Sequence, residues 1–477
     1  MMKRMSEISM IKSKLTKLKP MNYKLLLGFL VLAACTKPLA LKTEIQLTND
    51  SSKNHDLDNN DNFSPDGKWL VYDTRTGIGG IGGSPSVERI NIESGENQVL
   101  FGVKDNHDFG PGAGAASYNP LTNRVIFIHG LEVCSAENPY QQWRRTGVMV
   151  DDNNPNVPIL MDARDITFPY SPGALRGGTH RHEWSRDGKW VGYTYNDAIM
   201  KKFEDSTGIK WNLRTIAVSN NRHRVTVHPG HPDENVPGNW YSAVVVRVVP
   251  DPKPGSDEIS NAASDSWIGT SGYTKPDGTL QVARAFIGKV NNKDGKPVDE
   301  LFVVDIPDSL NVPGEFGPLE GTRTTFPMPP KGTVQRRLTH TADTKFPGCG
   351  GVVRSSPDGK LISFIAADQN GVKQVFGIAP AGGSPIQLTN HPTDVQGAVR
   401  WSKDNQHILY IWDNSIVLTE VSDRPFEQRV KQITAKSEKP LSNLVWSNDE
   451  KTLAYNRLIP VEGKKETKQQ IFIVKLE

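Results

Sequence analysis

The chain is poor in cysteine: Cys35, Cys134 and Cys349 are the only three in 477 residues. Three thiols cannot build a disulfide framework. It also lacks a dominant charge, with 56 Lys and Arg against 53 Asp and Glu and a formal net charge of +3, so no nucleic-acid partner is expected. Beyond the first 34 residues there is no long apolar run. A 36% hydrophobic, 23% charged composition is too polar for a polytopic membrane protein and too apolar for disorder. No serine nucleophile elbow, phosphate loop or dinucleotide fingerprint occurs. The glycine-dense stretch from Gly77 to Gly83 opens no helical pattern and reads as a flexible loop. Glycine and proline are plentiful, 42 and 33 residues, and argue for a turn-rich chain rather than a helical bundle.

Seven basic residues between Lys3 and Lys24 precede an apolar run, Leu25 to Ala34, which ends in Leu32-Ala33-Ala34-Cys35. A basic region, about ten apolar residues and a small-residue cut site describe a secretory signal, and the run is too short for a stable bilayer anchor. Cysteine directly after Leu-Ala-Ala resembles the bacterial lipobox, which implies acylation of Cys35; an ordinary signal with a chance cysteine is the alternative. Met21 is a candidate start. Removing residues 1–34 deletes seven positive charges and one negative, taking +3 to about −3. The expected layout is a lipoprotein signal peptide over 1–34, a polar tether over 35–60 and a folded body over 61–477. The expected location is the cell envelope, lipid-anchored at the outer membrane or cell surface, or secreted. The membrane is touched only through the anchor, and a monomer is expected.

One pattern recurs along the body. Phe63-Ser64-Pro65-Asp66-Gly67 leads into Trp69-Leu70-Val71-Tyr72. Trp184-Ser185-Arg186-Asp187-Gly188, Ser355-Ser356-Pro357-Asp358-Gly359, Trp401-Ser402-Lys403-Asp404-Asn405 and Trp446-Ser447-Asn448-Asp449-Glu450 do the same before their own alternating strands. Tyr118-Asn119-Pro120 and Lys275-Pro276-Asp277-Gly278 are looser copies. Seven such turns, the last two about 45 residues apart, predict an all-β, seven-bladed β-propeller of the TolB/WD40-like type. A radial array also leaves no long exposed sheet edge.

The repeat places the tight turns on one face. The starts of the inner strands and the ends of the second strands then converge on the opposite face, around a central channel. Residues there include Asp61, Asp73, Arg75, His107, His129, Arg176, His180, His182, Tyr195, Asn196, Asp197, Cys349 and Gln396. Four of eleven histidines fall in this set, and histidine serves acid–base work near neutral pH and metal ligation. A second group, His223, His228 and His231 with His340 and Cys349 in a later segment, has the residue types of a tetrahedral zinc site.

Several stretches resemble a known family. They are Phe127-Ile128-His129-Gly130, Tyr170-Ser171-Pro172-Gly173-Ala174-Leu175-Arg176-Gly177-Gly178-Thr179-His180, Tyr193-Thr194-Tyr195-Asn196-Asp197, Val334-Gln335-Arg336-Arg337-Leu338-Thr339 and Thr393-Asp394-Val395-Gln396. Together they resemble the YidR-like, TolB-like propeller proteins often labelled "biopolymer transporter Tol". That group in turn resembles propeller-fold polysaccharide lyases, among them ulvan lyases and oligogalacturonate lyase. The ulvan lyases use two histidines about twenty residues apart, a tyrosine and an arginine, and carry a structural zinc. His107 and His129 are 22 apart. The resemblance therefore implies His107, His129, Tyr170 and Arg176 as catalytic residues, with Tyr195 a rival for the tyrosine.

The implied reaction removes the C5 proton of a uronate and expels the 4-linked oxygen. Tyr170 would act as base and acid with His129 assisting, while Arg176 and His107 neutralise the carboxylate. Arg75, His180, His182, Tyr195 and Gln396 would bind substrate, an anionic polysaccharide with ulvan as the leading choice. A structural Zn²⁺ would sit on His228, His231, His340 and Cys349. The alternatives are a non-catalytic envelope propeller that binds glycan or protein, and a metal-dependent oligogalacturonate lyase with His180 and His182 as ligands.

Overall fold

The computed structural model describes residues 41–58, 61–77, 80–231 and 233–476. The leader at 1–34 and Cys35 lie outside these residues. The body of the described chain is seven four-stranded antiparallel sheets, most strands beside their sequence neighbours, packed consecutively into a ring. Blade 1 begins at Asn54–Asp56, blade 2 at Ala113–Tyr118, blade 3 at Gly177–Trp184 and blade 4 at Ala262–Trp267. Blades 5, 6 and 7 begin at Cys349–Ser355, Val395–Trp401 and Leu441–Trp446. The fold is a seven-bladed β-propeller, as the repeat implied. Among the described residues no helix is long and apolar enough to cross a membrane.

The repeated turns have a common chemistry. Ser64 donates to Asp66 (2.6 Å) and accepts the Trp69 N–H (3.0 Å), while Asp66 accepts the Lys68 N–H (3.1 Å). The same three bonds recur in residues 185–190, 356–361, 402–407 and 447–452. The fourth turn residue has a left-handed backbone (Gly67 φ 72°, Gly188 69°, Gly359 71°), which is why glycine dominates there. In blade 4 the turn is enlarged: Lys275 to Gly278 tip a small extra hairpin, Tyr273–Thr274 with Leu280–Gln281, before the second strand Ala283–Asn291.

Two expectations need correction. Residues 35–60 are not simply a tether. Glu44–Gln46 is the outer strand of blade 7, paired with Thr467–Lys475, and Asn54–Asp56 opens blade 1. The ring is therefore closed by joining the two ends of the chain. The stretch from Gly177 to His182 is the inner strand of blade 3 rather than its lead-in.

Six inner strands carry a register shift, in each case beside a positive-φ residue: Ala115, Arg181, Ser264, Gly351, Gly397 or Asn443. Such bulges bend a strand and re-aim its side chains. Between blades the space is filled by apolar clusters, for example Val71, Phe101, Tyr118, Phe127 and Val150 between blades 1 and 2.

Candidate functional site

The upper face, opposite the tight turns, gathers an unusual set of polar groups where blades 2 and 3 meet. Residues 131–144 join the second strand of blade 2, Arg124–Gly130, to its third, Arg145–Asp151. Arg144 ties this loop down, donating to the Val133 carbonyl (2.8 Å), to those of Asn138 and Pro139, and to Glu234 (3.0 Å). Glu234 is also held by Arg164 (2.9 Å). The loop presents Tyr140 over a glycine floor. A Cβ built at Gly82, Gly110 or Gly130 would stand 3.1, 3.1 or 2.9 Å from Tyr140 atoms, so the glycines of these segments make room for a ring.

Arg145 is 3% exposed, at the start of its strand. One terminal nitrogen donates to the Tyr140 hydroxyl (3.0 Å), whereas Nε and the other terminal nitrogen are buried with no partner among the described residues. His180 has a buried Nδ1 that likewise lacks one. Burial, and then the charges of Arg145, Arg214 and Arg181, holds the His180 imidazole well below its ordinary pKa and hence neutral. Arg214 starts the third strand of blade 3, with Nε donating to Asn196 (3.2 Å).

Behind these groups lies a buried polar stack. His182 Nε2 is 3.0 Å from Thr179 Oγ1, which donates to Asp162 (3.1 Å), and Asp162 accepts the Gly147 N–H (2.5 Å). Burial pushes the Asp162 carboxyl up to about 7 and the His182 imidazole down to about 3. The site thus offers positive charge with unsatisfied donors, a neutral imidazole and a phenol. Unpaired buried donors each cost about 1–3 kcal/mol, so such a cluster suits an anionic ligand.

A family model described as "Protein of unknown function (DUF3748)" matches residues 112–235, which contain Tyr140, Arg145, His180 and Arg214. The Escherichia coli (strain K12) protein YidR is 36% identical over 376 residues, covering 76% of this chain and 83% of its own. The chain belongs to the YidR family. A solved structure of an oligogalacturonate lyase in complex with manganese matches this YidR-family chain at TM-score 0.51 and 11% identity, over 92% of this chain and 99% of that one. Polysaccharide lyase Uly1 matches at TM-score 0.48 and 11% identity, over 92% and 100%. The former likeness shows the fold.

Of the residues picked from sequence, His180 belongs to the basic cluster. His107 is exposed in a turn, its Nδ1 accepting the Phe109 N–H (3.1 Å). His129 is buried against Phe101, ring centroids 5.3 Å apart, and burial lowers its pKa. No hydrogen bond or ring contact joins the two among the described residues. Tyr170 lies over the Arg176 guanidinium at 4.7 Å.

Arg176 itself is fully committed. It is 0% exposed and donates twice to Asp197 (3.0 and 2.7 Å) and to the carbonyls of Thr322 and Thr325. Its place as the group that neutralises a substrate carboxylate is corrected to a structural one, fastening blade 3 to the 307–333 excursion. Tyr195 is corrected likewise: it is buried, and its hydroxyl donates to Asp197 (2.9 Å). Arg75 is locked by Asp73 (2.6 Å), Asp58 (3.0 Å) and Asp56 (3.3 Å), with 3% of it exposed. His182 lies fully buried. Gln396 is exposed in blade 6, three blades from either side of the cluster, and bonds Asn414.

The four expected zinc ligands do not assemble, since no three His, Cys, Asp or Glu side chains are grouped to hold a metal among the described residues. His228 bonds Asp165 (2.7 Å), and His231 and His340 are exposed on different segments. Burial pushes the Cys349 thiol up to about 12, so it stays protonated beside Thr339. The donor set therefore does not fit a zinc ion. Tyr140, Arg145 and Arg214 lie neither at an inner-strand start nor at a second-strand end, the two positions the repeat marks in sequence. The loop into each third strand opens on the same face.

Proposed function

We propose that this YidR-family protein is a polysaccharide lyase that cleaves a uronate-containing anionic polysaccharide by β-elimination and leaves unsaturated uronate ends. The observation that carries the reading is Arg145, buried with two guanidinium nitrogens unpartnered beside a phenol and a neutral imidazole. Arg145 and Arg214 take the uronate carboxylate, which makes the C5 proton acidic. His180 accepts that proton. Electrons from the C–H bond form the C4–C5 double bond, and the C4–O bond breaks. The Tyr140 hydroxyl, which accepts from Arg145 and keeps its own proton to give, protonates the leaving oxygen.

No step uses His228, His231, His340 or Cys349. The fold shared with a solved oligogalacturonate lyase supports the reaction class. Ulvan is the substrate we assign, and an acylated Cys35 would hold the mature protein at the cell envelope. Incubation of the mature protein with ulvan, polygalacturonate, alginate and heparin tests the reading. Unsaturated-uronate absorbance should rise on ulvan; a rise on another polymer alone would replace the substrate, and no rise on any would leave a binding propeller instead.

A further inference from the structure

The turn-face end of the channel holds a second concentration of charge, away from the cluster above. Its walls come from the ends of the inner strands and include Asp61, Glu183, Trp184, Arg354, Arg400 and Trp446 around a cavity of about 60 Å³. Two of the three acidic groups are already engaged, and the third, Asp61, offsets part of the charge of Arg354 and Arg400. Glu183 pairs with Arg284 (3.0 Å), and Glu450 at the rim accepts the Lys403 N–H (2.5 Å). Arg186 and Lys403 add two more cations to the lining.

The orphaned groups among the lining residues are all donors: Arg400 Nε, Trp184 Nε1 and Trp446 Nε1 are buried with no partner among the described residues. The arginines also crowd one another. Burial and the neighbouring cations, Arg181 among them, outweigh Glu183 and Asp61, holding Arg354 down to about 10 and Arg400 well below its ordinary range. Four lining cations, Arg186, Arg354, Arg400 and Lys403, against Asp61 as the one carboxylate not already engaged, with orphaned donors beside them, select an anion. The volume is far below the roughly 300 Å³ at which pockets for organic ligands begin, so a sugar is too large.

We propose that this end of the channel binds one small inorganic anion beside Arg354 and Arg400, joining blades 5 and 6 across the axis from Trp184 of blade 3. Thermal unfolding of the mature protein tests it, at constant ionic strength set with gluconate, which the cavity is too small to admit. Chloride in one arm and inorganic phosphate in the other replace gluconate stepwise. At least one should raise Tm by about 3 °C or more with saturation, and the arm that does so identifies the anion. In Arg400→Met the rise should vanish, and in gluconate alone this variant should be at least as stable as wild type, because a like-charge contact is gone. No saturable rise, or an equal rise in the variant, overturns the proposal. Should the variant not fold, wild-type crystals soaked in bromide decide: anomalous density beside Arg354 and Arg400 supports the site, and its absence there overturns it. Neither readout involves a polysaccharide, so failure here leaves the proposed lyase activity untouched.

Discussion

Arg145 and Arg176 are both buried arginines near the upper face, and they differ in one respect: Arg176 has spent its donors and Arg145 has not. The two should therefore fail differently. Arg145→Met should lower kcat/KM for uronate polymer by about 100-fold or more, read by unsaturated-uronate absorbance, with Tm nearly unchanged. Arg176→Met leaves Asp197 buried without its cation and should cost about 3–5 kcal/mol, read by denaturant unfolding. Sequence pointed to Arg176 through its place just before the inner strand of blade 3 and through the family resemblance. It passed over Arg145, in Gln142-Trp143-Arg144-Arg145, because nothing local distinguishes an arginine with a spare donor from one without. That difference depends on partners far along the chain.

At the level of the element, what was legible is what is local. The Ser-x-Asp-Gly turn closes its bonds within six residues, so its chemistry is written in consecutive letters and reveals the blades. Strands Glu44–Gln46 and Asn54–Asp56 were hidden because they are short and polar, and the first pairs with residues more than 400 positions away. Asp162 is a similar long-range fastener, holding the third strand of blade 2 through Gly147 and the inner strand of blade 3 through Thr179.

Burial raises the Asp162 pKa to about 7 from 3.8, so the fold prefers the protonated carboxyl. Its favourable contribution is full below 3.8 and is lost as pH climbs through about 7. Asp162→Asn cannot ionise. The stability of wild type relative to this variant should fall by at least about 1 kcal/mol between pH 5 and pH 8 in urea unfolding. An unchanged difference would mean that the carboxyl is already ionised at pH 5.

At the scale of the molecule, residues 1–34 hold seven positive charges and one negative, so the remaining chain carries about −3 against a formal +3 for the whole. Attraction of a polyanion must come from the local arginines of blades 2 and 3 against a mildly repulsive body. The proposed anchor then matters, because it sets where that patch works. Only eight residues separate Cys35 from Glu44, the first residue of the outer strand of blade 7, so an acylated protein would be held by its rim. Cys35→Ser should move it from the membrane fraction to the soluble fraction on cell fractionation; retention in the membrane would refute acylation there.

The composite blade has a bearing on how the molecule is made. Glu44–Gln46 is the first of the described strands to leave the ribosome, and its partner Thr467–Lys475 is the last of them to do so. Six blades can form in order of synthesis, but the seventh needs both ends at once. Until the final strand is delivered, the first has no neighbour and the ring stays an open arc with bare edges on either side of the gap. Closure is therefore a late event in biogenesis, and the chain is vulnerable to edge-to-edge misassembly until the ring is shut.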